Sequence, residues 1–170
     1  LPKYKASLGS ELPFVLLEQN TNRTYVSQSG LVGKNGADAS PEGRPTYTVT
    51  QNEFELGDQD KLTVDLTFSD KQGVQITKRY TFTKGSYEIN LDFIVDNQTE
   101  QQWSGNLFGQ IKRDRSDDPT QSTDMGMQSY LGGVFSTIED PYEKIDFDDM
   151  DDGQFSKSSP DGYVAMSQHY

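Results

Sequence analysis

The most constraining feature of the sequence is an alternation of apolar and polar residues with a period of two. Lys61–Ser69, Val74–Thr83 and residues 87–95 each carry an apolar side chain at every second position, and Lys78 is the one charged residue in that phase. The alternation indicates half-buried antiparallel strands, because a helix would repeat its apolar residues every three to four positions. Short polar loops containing Gly73 and Gly85 separate the three segments. The sequence therefore predicts a three-stranded β-meander.

Weaker strand signals flank the meander. Short segments rich in β-branched or aromatic residues, bounded by Gly, Asn or Pro, occupy residues 14–17, 24–27, 46–50, 103–112 and 162–170. The last segment runs to the final residue and would leave an unpaired sheet edge, so we expect further strands in a longer protein. No segment has the apolar spacing of an amphipathic helix. The sequence thus predicts an all-β fold, with residues 1–170 forming a single domain.

The charge of the chain excludes several classes of partner. Its net charge is -12 and its pI about 4.4. Nucleic-acid binding requires Lys and Arg, and an anionic membrane surface repels an acidic chain, so we expect neither nucleic acid nor direct lipid binding. Twelve acidic and two basic residues lie between Asp114 and Asp152, a net charge of -10. The acidity therefore belongs to one set of segments rather than to the whole surface.

The residues that could carry chemistry form no recognisable catalytic or metal-binding motif. The chain has no Cys, and its only histidine, His169, is next to last, so we expect a surface or strand histidine rather than a catalytic base or zinc ligand. With Gly153 at the sixth position of an EF-hand loop, Asp148 and Asp152 match the first and fifth ligands, but Met150 stands at the third position and Ser159 at the twelfth. We therefore predict a solvated acidic loop, no metal and no cofactor. A glycosidase-like carboxylate pair stays open, because such pairs are assembled in space.

Three weaker signals have simpler explanations. The basic cluster at residues 112–115 indicates a surface turn rather than a phosphate site. Trp103 is interpreted as a core or rim anchor rather than a sugar-stacking platform. The sequons at Asn22 and Asn97 are tripeptides that occur often by chance.

A series of short strings gives the chain a family resemblance. In chain order they are Pro13-Phe14 with Leu16-Leu17-Glu18, Gln28-Ser29-Gly30-Leu31, Arg44-Pro45 with Tyr47, Phe108-Gly109-Gln110, Tyr142-Glu143-Lys144 with Phe147, and Val164-Ala165-Met166. Their order and spacing resemble the large periplasmic domain of the YidC family of membrane protein insertases of Gram-negative bacteria. Tyr163 departs from the family, in which Trp precedes the Val-Ala-Met string, although an aromatic residue is kept.

The resemblance implies both a fold and a role. The implied fold is a twisted antiparallel β-supersandwich of the galactose-mutarotase-like kind, of which residues 1–170 would be an incomplete fragment lacking terminal strands. The implied role is that of a non-catalytic domain on the periplasmic side of the inner membrane. It would act as a scaffold or docking surface for the Sec accessory complex SecDF and for SecYEG, while nascent membrane proteins would bind the membrane part of the longer protein.

Partner docking is placed on the acidic C-terminal third of the chain. The residues expected to contact a partner are Tyr142, Lys144, Asp148, Asp149, Asp151 and Asp152. Two alternatives stay open. One is a mutarotase-like sandwich that binds a sugar or an extended polymer in a sheet groove, and the other is a secreted adhesin or structural sandwich.

Overall fold

The computed structural model describes residues 4–6, 9–116 and 130–168. Its elements in chain order are β1 (Glu18–Gln19), β2 (Thr24–Val32), a 3-10 turn at Ala37–Ala39, β3 (Lys61–Ser69), β4 (Val74–Thr83), β5 (Ile89–Asn97), β6 (Asn106–Arg113), β7 (Gly132–Ser136), β8 (Glu143–Ile145), α1 (Phe147–Asp152) and β9 (Tyr163–Ser167). The strands form three sheets with the orders β1-β2-β6, β3-β4-β5 and β8-β7-β9. The predicted all-β class with antiparallel sheets is confirmed.

The β3-β4-β5 meander is present as predicted, with β3 and β4 at the predicted bounds and the third strand beginning at Ile89 instead of Tyr87 and ending at Asn97. Strand β4 pairs antiparallel with both neighbours, so that Phe68, Ile76 and Val95 form one cross-strand row on the apolar face. Ile76 is 2% exposed and is the most deeply buried large side chain among the described residues. Cross-strand apolar rows of this kind are the main stabilising unit of a sheet. The outer edge of β3 is bridged once, where Thr48 and Thr67 exchange backbone hydrogen bonds of 2.8 and 2.9 Å.

The chain separates into two compact units. One comprises Leu1–Ser29 and Gly109–Tyr170, and the other comprises Gly30–Phe108, so the boundaries fall within β2 and β6. In the second unit Gly30 has to be glycine, because a Cβ there would lie 2.4 Å from Asp38 Oδ2 and 2.6 Å from Phe108 Cε1. The same Asp38 oxygen accepts the Leu31 N–H at 2.8 Å. The prediction that residues 1–170 belong to one domain stays a prediction.

The β8-β7-β9 sheet lies in the first unit. Strand β7 is central, with Phe135 opposite both Glu143 and Val164, and Ser136 opposite Tyr163. Strands β7 and β8 were not predicted, because one begins with two glycines and the other has three residues. Helix α1 replaces the solvated loop expected for the acidic run, so that expectation was wrong.

The weaker strand predictions have mixed outcomes. The segment 14–17 is not a strand, since β1 begins only at Glu18, and the segment 46–50 is reduced to the single bridge at Thr48. Residues 24–27 are the first part of the longer β2. The segment 103–112 becomes β6, which begins after Trp103, and 162–170 becomes β9, with residues 169–170 outside the described part.

Candidate partner-binding surface

Tyr142 and Lys144, two of the residues expected to bind a partner, are brought together with Tyr130 on one face of the β8-β7-β9 sheet. The Lys144 ammonium lies 4.7 Å from the centroid of the Tyr130 ring and 5.8 Å from that of Tyr142. The Tyr130 hydroxyl donates to the Gly133 carbonyl at 3.0 Å, which holds the Tyr130 ring over the sheet. A lysine flanked by two tyrosine rings is a cation–π arrangement, and it fixes an otherwise flexible side chain.

Helix α1 packs against the opposite face of the same sheet. The ideal Cβ position of Gly133 lies 2.7 Å from Met150 Cε, and it points to the face that carries Ile145 and Phe135. Lys144 pairs with Val134, so it points to the other face. The structure therefore divides the expected partner-binding residues, with Tyr142 and Lys144 on one face and the four aspartates on a helix attached to the other.

A reciprocal capping box begins α1. The Asp146 carboxylate accepts the Asp149 N–H at 2.8 Å, and the Asp149 carboxylate accepts the Asp146 N–H at 3.2 Å. Carboxylates near a helix N-terminus are favourable, because they satisfy free N–H groups and face the positive end of the helix dipole. An aspartate followed three residues later by another aspartate is the sequence signal that could have predicted this helix.

Arg115 neutralises part of the acidic helix. Its Nη2 donates to the Phe147 carbonyl at 2.7 Å and to Asp148 Oδ1 at 3.3 Å, and it also pairs with Asp151. Asp149 is engaged in the capping box, so Asp152 is the one of the four expected aspartates without an ion-pair or hydrogen-bond partner in the part of the chain that is described. The four carboxylates are therefore not equivalent.

An alternating row of aromatic rings and guanidinium groups, here named the stacked row, connects α1 to the N-terminal segment. The Arg23 guanidinium lies 6.0 Å from the Phe14 ring centroid and 5.5 Å from that of Tyr25. Arg113 lies 5.9 Å from Tyr25 and 5.4 Å from Phe147, the first residue of α1. The planar guanidinium stacks on aromatic faces, so each arginine joins two rings. Burial of the Tyr25 ring raises the pKa of its hydroxyl, against the opposing effect of the two arginines.

The stacked row accounts for the burial of the charged residue Arg23. Arg23 is 5% exposed, and its Nη1 pairs with Glu18 Oε1 at 2.9 Å. Its Nε and Nη2 have no hydrogen-bond partner among the described residues, so the neighbouring Phe14 and Tyr25 rings supply the compensating interaction for these atoms. Sequence reasoning missed Arg23, Arg113 and Arg115, and treated the latter two only as parts of a surface turn.

Lys157 forms a second ionic cluster in the same unit. It pairs with Asp140 and, at 3.0 Å, with Glu143, and it lies 5.8 Å from the centroid of the Phe135 ring. The hydrogen bonds to Asp140 and Glu143 raise the pKa of Lys157. Phe155 packs edge-on against Phe135 at 5.7 Å, so the segment before β9 covers this face of the sheet.

In the second unit, Lys78 has an aromatic environment that accounts for a charge on the apolar face of the meander. Its ammonium lies 4.8 Å from the Tyr47 ring centroid and 5.1 Å from that of Phe93. Burial lowers the pKa of Lys78, while Asp38 opposes that shift. Burial, reinforced by Asp38, raises the pKa of Tyr47 to about 12. The sequence strings around Gly30, Tyr47 and Phe108 thus contribute to a structural cluster.

A polar groove of about 580 Å³ also lies in the second unit. It is lined mainly by amide, hydroxyl and glycine residues, together with Trp103, whose ring lies against Gly105. Asn35 and Asn97 already hold neighbouring backbone, since Asn35 accepts the Ser104 N–H and Asn97 donates to the Gln101 carbonyl. The groove therefore combines amide groups that are held in place with one large aromatic ring, and the assignment of Trp103 as a core or rim anchor stays a prediction.

Other candidate sites give little further chemistry. Within residues 4–6, 9–116 and 130–168, no group of three or more His, Cys, Asp or Glu side chains could hold a metal ion. No helix in these ranges is long and apolar enough to cross a membrane. His169 lies outside the described residues.

Comparison with known proteins identifies relatives along the whole chain. The family model described as the YidC periplasmic domain matches residues 1–170. The chain is 47% identical over 171 residues to the membrane protein insertase YidC of Marinomonas sp. (strain MWYL1), covering 100% of this chain and 31% of that protein. It is 44% identical over 172 residues to the YidC of Pseudomonas putida (strain GB-1), covering 100% of this chain and 30% of that protein. The chain thus spans about a third of the length of the curated relatives it matches.

Proposed function

Since this chain belongs to the family of the YidC periplasmic domain, we propose that it acts as a non-catalytic scaffold and docking surface of a membrane protein insertase. Its location is periplasmic, and it is part of a family whose full-length members are inner-membrane insertases. The proposed partners are SecDF and SecYEG, and nascent membrane proteins would bind the remainder of the longer protein.

The observation that carries this proposal is the way in which the acidic helix is attached. Helix α1 is six residues long, and an isolated helix of that length is unstable in water. Here the capping box, the Arg115 ion pairs and the Arg113 contact with Phe147 hold it in place. An acidic segment anchored in this way presents its carboxylates in a fixed arrangement, which suits recognition of a basic partner surface.

Charge reversal tests the proposal in the full-length protein. Replacing Asp148, Asp149, Asp151 and Asp152 by Lys removes up to four ion pairs between α1 and SecDF, each of about 0.4 kcal/mol. We therefore expect about tenfold weaker association with SecDF. Co-purification of SecDF at low and high salt measures the loss, and the wild-type association should weaken as salt screens the charges.

A matched variant controls for the change in net charge. Reversal of the exposed residues Glu53, Glu55, Asp58 and Asp60 changes the charge equally but lies in the other unit. Its SecDF recovery should equal that of the wild type. Equal recovery with the α1 reversal would refute the use of the acidic helix, and absence of SecDF from all samples, wild type included, would refute the partner.

The polar groove supports a second candidate function, the binding of a neutral sugar or polymer. Protein sites for such ligands combine a few placed polar groups with an aromatic surface, and Gln72, Gln101 and Trp103 offer these groups here. Calorimetry with a monosaccharide panel tests it, with Gln72→Ala and Gln101→Ala as the binding-deficient variant. An absence of heat with every sugar would refute this function and leave the docking proposal intact.

A further inference from the structure

Three exposed apolar side chains lie close together at one end of the β8-β7-β9 sheet, and we name them the sheet-end patch. Their exposed fractions are 78% for Ile138, 57% for Tyr142 and 56% for Tyr163. Strand register places them together: Tyr163 pairs with Ser136 at the end of β7, and Tyr142 directly precedes the residue that pairs with Phe135. Ile138 lies in the connection between β7 and β8. Clustered exposure of this kind marks an interaction surface, whereas single exposed apolar residues do not.

Two tyrosines of the sheet-end patch flank a small residue on one face. Tyr142 and Tyr163 lie on either side of Ser136, which is 8% exposed, so about two strand spacings, or ~10 Å, separate their backbones. The backbone beside them is tightly packed, because a Cβ on Gly162 would lie 2.0 Å from the Ser136 carbonyl oxygen. Two exposed tyrosines on either side of a small residue suit contact with an apolar side chain, and tyrosine is enriched where partners bind.

Charge around the sheet-end patch selects the class of partner. Three carboxylates adjoin it along the chain, those of Glu139, Asp140 and Asp161, and the Lys144 ammonium lies beside Tyr142, whereas Glu143 points to the other face with Phe135. Lys157 is committed to Asp140 and Glu143, which leaves Glu139 and Asp161 without an ion-pair partner among the described residues. An acidic border favours a basic partner and disfavours an anionic lipid surface.

We propose that the sheet-end patch docks a segment of a protein partner that carries apolar side chains flanked by Lys or Arg. This inference rests on the proposed docking function and assigns it a second surface, on which Tyr142 acts apart from the aspartates of α1. The apolar side chains would contact Tyr142, Tyr163 and Ile138, and the basic groups would pair with Glu139 and Asp161.

Binding of a model peptide to the full-length protein in detergent tests the inference. The probe is a short peptide of alternating Leu and Lys, and its comparison is the same peptide with Glu in place of Lys. Substituting Ser for both Tyr142 and Tyr163 should weaken binding of the Leu-Lys peptide about tenfold, since central tyrosines dominate such interfaces. The control Tyr87→Ser changes a tyrosine that is 51% exposed in the other unit, and it should change binding less than about twofold.

Each alternative result overturns the inference. Equal weakening by Tyr87→Ser would mean that binding does not depend on the sheet-end patch, and equal binding of the Leu-Glu peptide would remove the basic requirement. Binding to phosphatidylglycerol vesicles that is lost with the patch tyrosines would make the patch a membrane contact. The failure of this inference can be distinguished from the failure of the proposed function. If the full-length protein recovers SecDF but does not bind the peptide, only this inference is refuted. If it binds the peptide but does not recover SecDF, only the Sec partner is refuted.

Discussion

Truncation of Ile76 to alanine should be the most damaging single change in the meander. Ile76 is 2% exposed and packs in the row with Phe68 and Val95. The substitution removes three buried carbon groups at about 0.8 kcal/mol each, or about 2.4 kcal/mol, and the cavity left behind raises the loss to about 3–4 kcal/mol. Urea unfolding of the purified chain, followed by the fluorescence of Trp103, measures the change in the free energy of unfolding.

Ile94→Ala is the matched control for this prediction. Ile94 lies on the adjacent strand, opposite Thr77 on the other face, and is 42% exposed. Its truncation should cost about 1 kcal/mol, because much of the side chain is already in contact with water. If the two substitutions lower the free energy of unfolding equally, the apolar face of the meander is not the core, and the reasoning from alternation is wrong.

Two further predictions concern the aromatic clusters. The pKa of Tyr47 is raised to about 12, so its protonated hydroxyl stabilises the fold below pH 10, and this contribution is lost as the pH rises towards 12. Between pH 9 and 11 the free energy of unfolding of the wild type should therefore fall by about 1 kcal/mol more than that of Tyr47→Phe, after allowance for solvent screening. Equal losses in urea titrations would contradict this. Arg113→Ala should lower the free energy of unfolding by about 2 kcal/mol. Arg113→Lys should recover less than half of that loss, because an ammonium group cannot stack between Tyr25 and Phe147 as a guanidinium does. Full recovery with Lys would show that charge alone matters.

The meander was predictable because its signal is local. Strands β3 and β4 begin and end at the residues that the alternation indicates, and Lys78, the exception in the pattern, lies between two aromatic rings. Strand β7 gave no such signal, since its Gly132 and Gly133 make room for Tyr130 and Met150, which come from outside the strand. Its formation depends on these tertiary contacts and not on local propensity.

The candidate surface was predictable in composition but not in arrangement. The acidity of the C-terminal third is plain in the sequence, whereas the attachment of α1 through Arg113 and Arg115 joins residues that are far apart in the chain. The stacked row was equally unpredictable, because Phe14, Arg23 and Phe147 acquire their contacts only in the folded chain. Alternation indicates which face a residue takes on its own strand, but it does not indicate which distant residue covers that face.

The placement of α1 and of the Tyr142–Lys144 pair on opposite sides of a layer one strand thick has a consequence for stoichiometry. A single flat protein surface reaches either the helix or the tyrosines, because the intervening sheet blocks the other. If both surfaces bind partners as proposed, two different proteins fit at the same time without competing for space. The sheet would then bridge them, and a ternary complex should form with independent affinities for its two ligands.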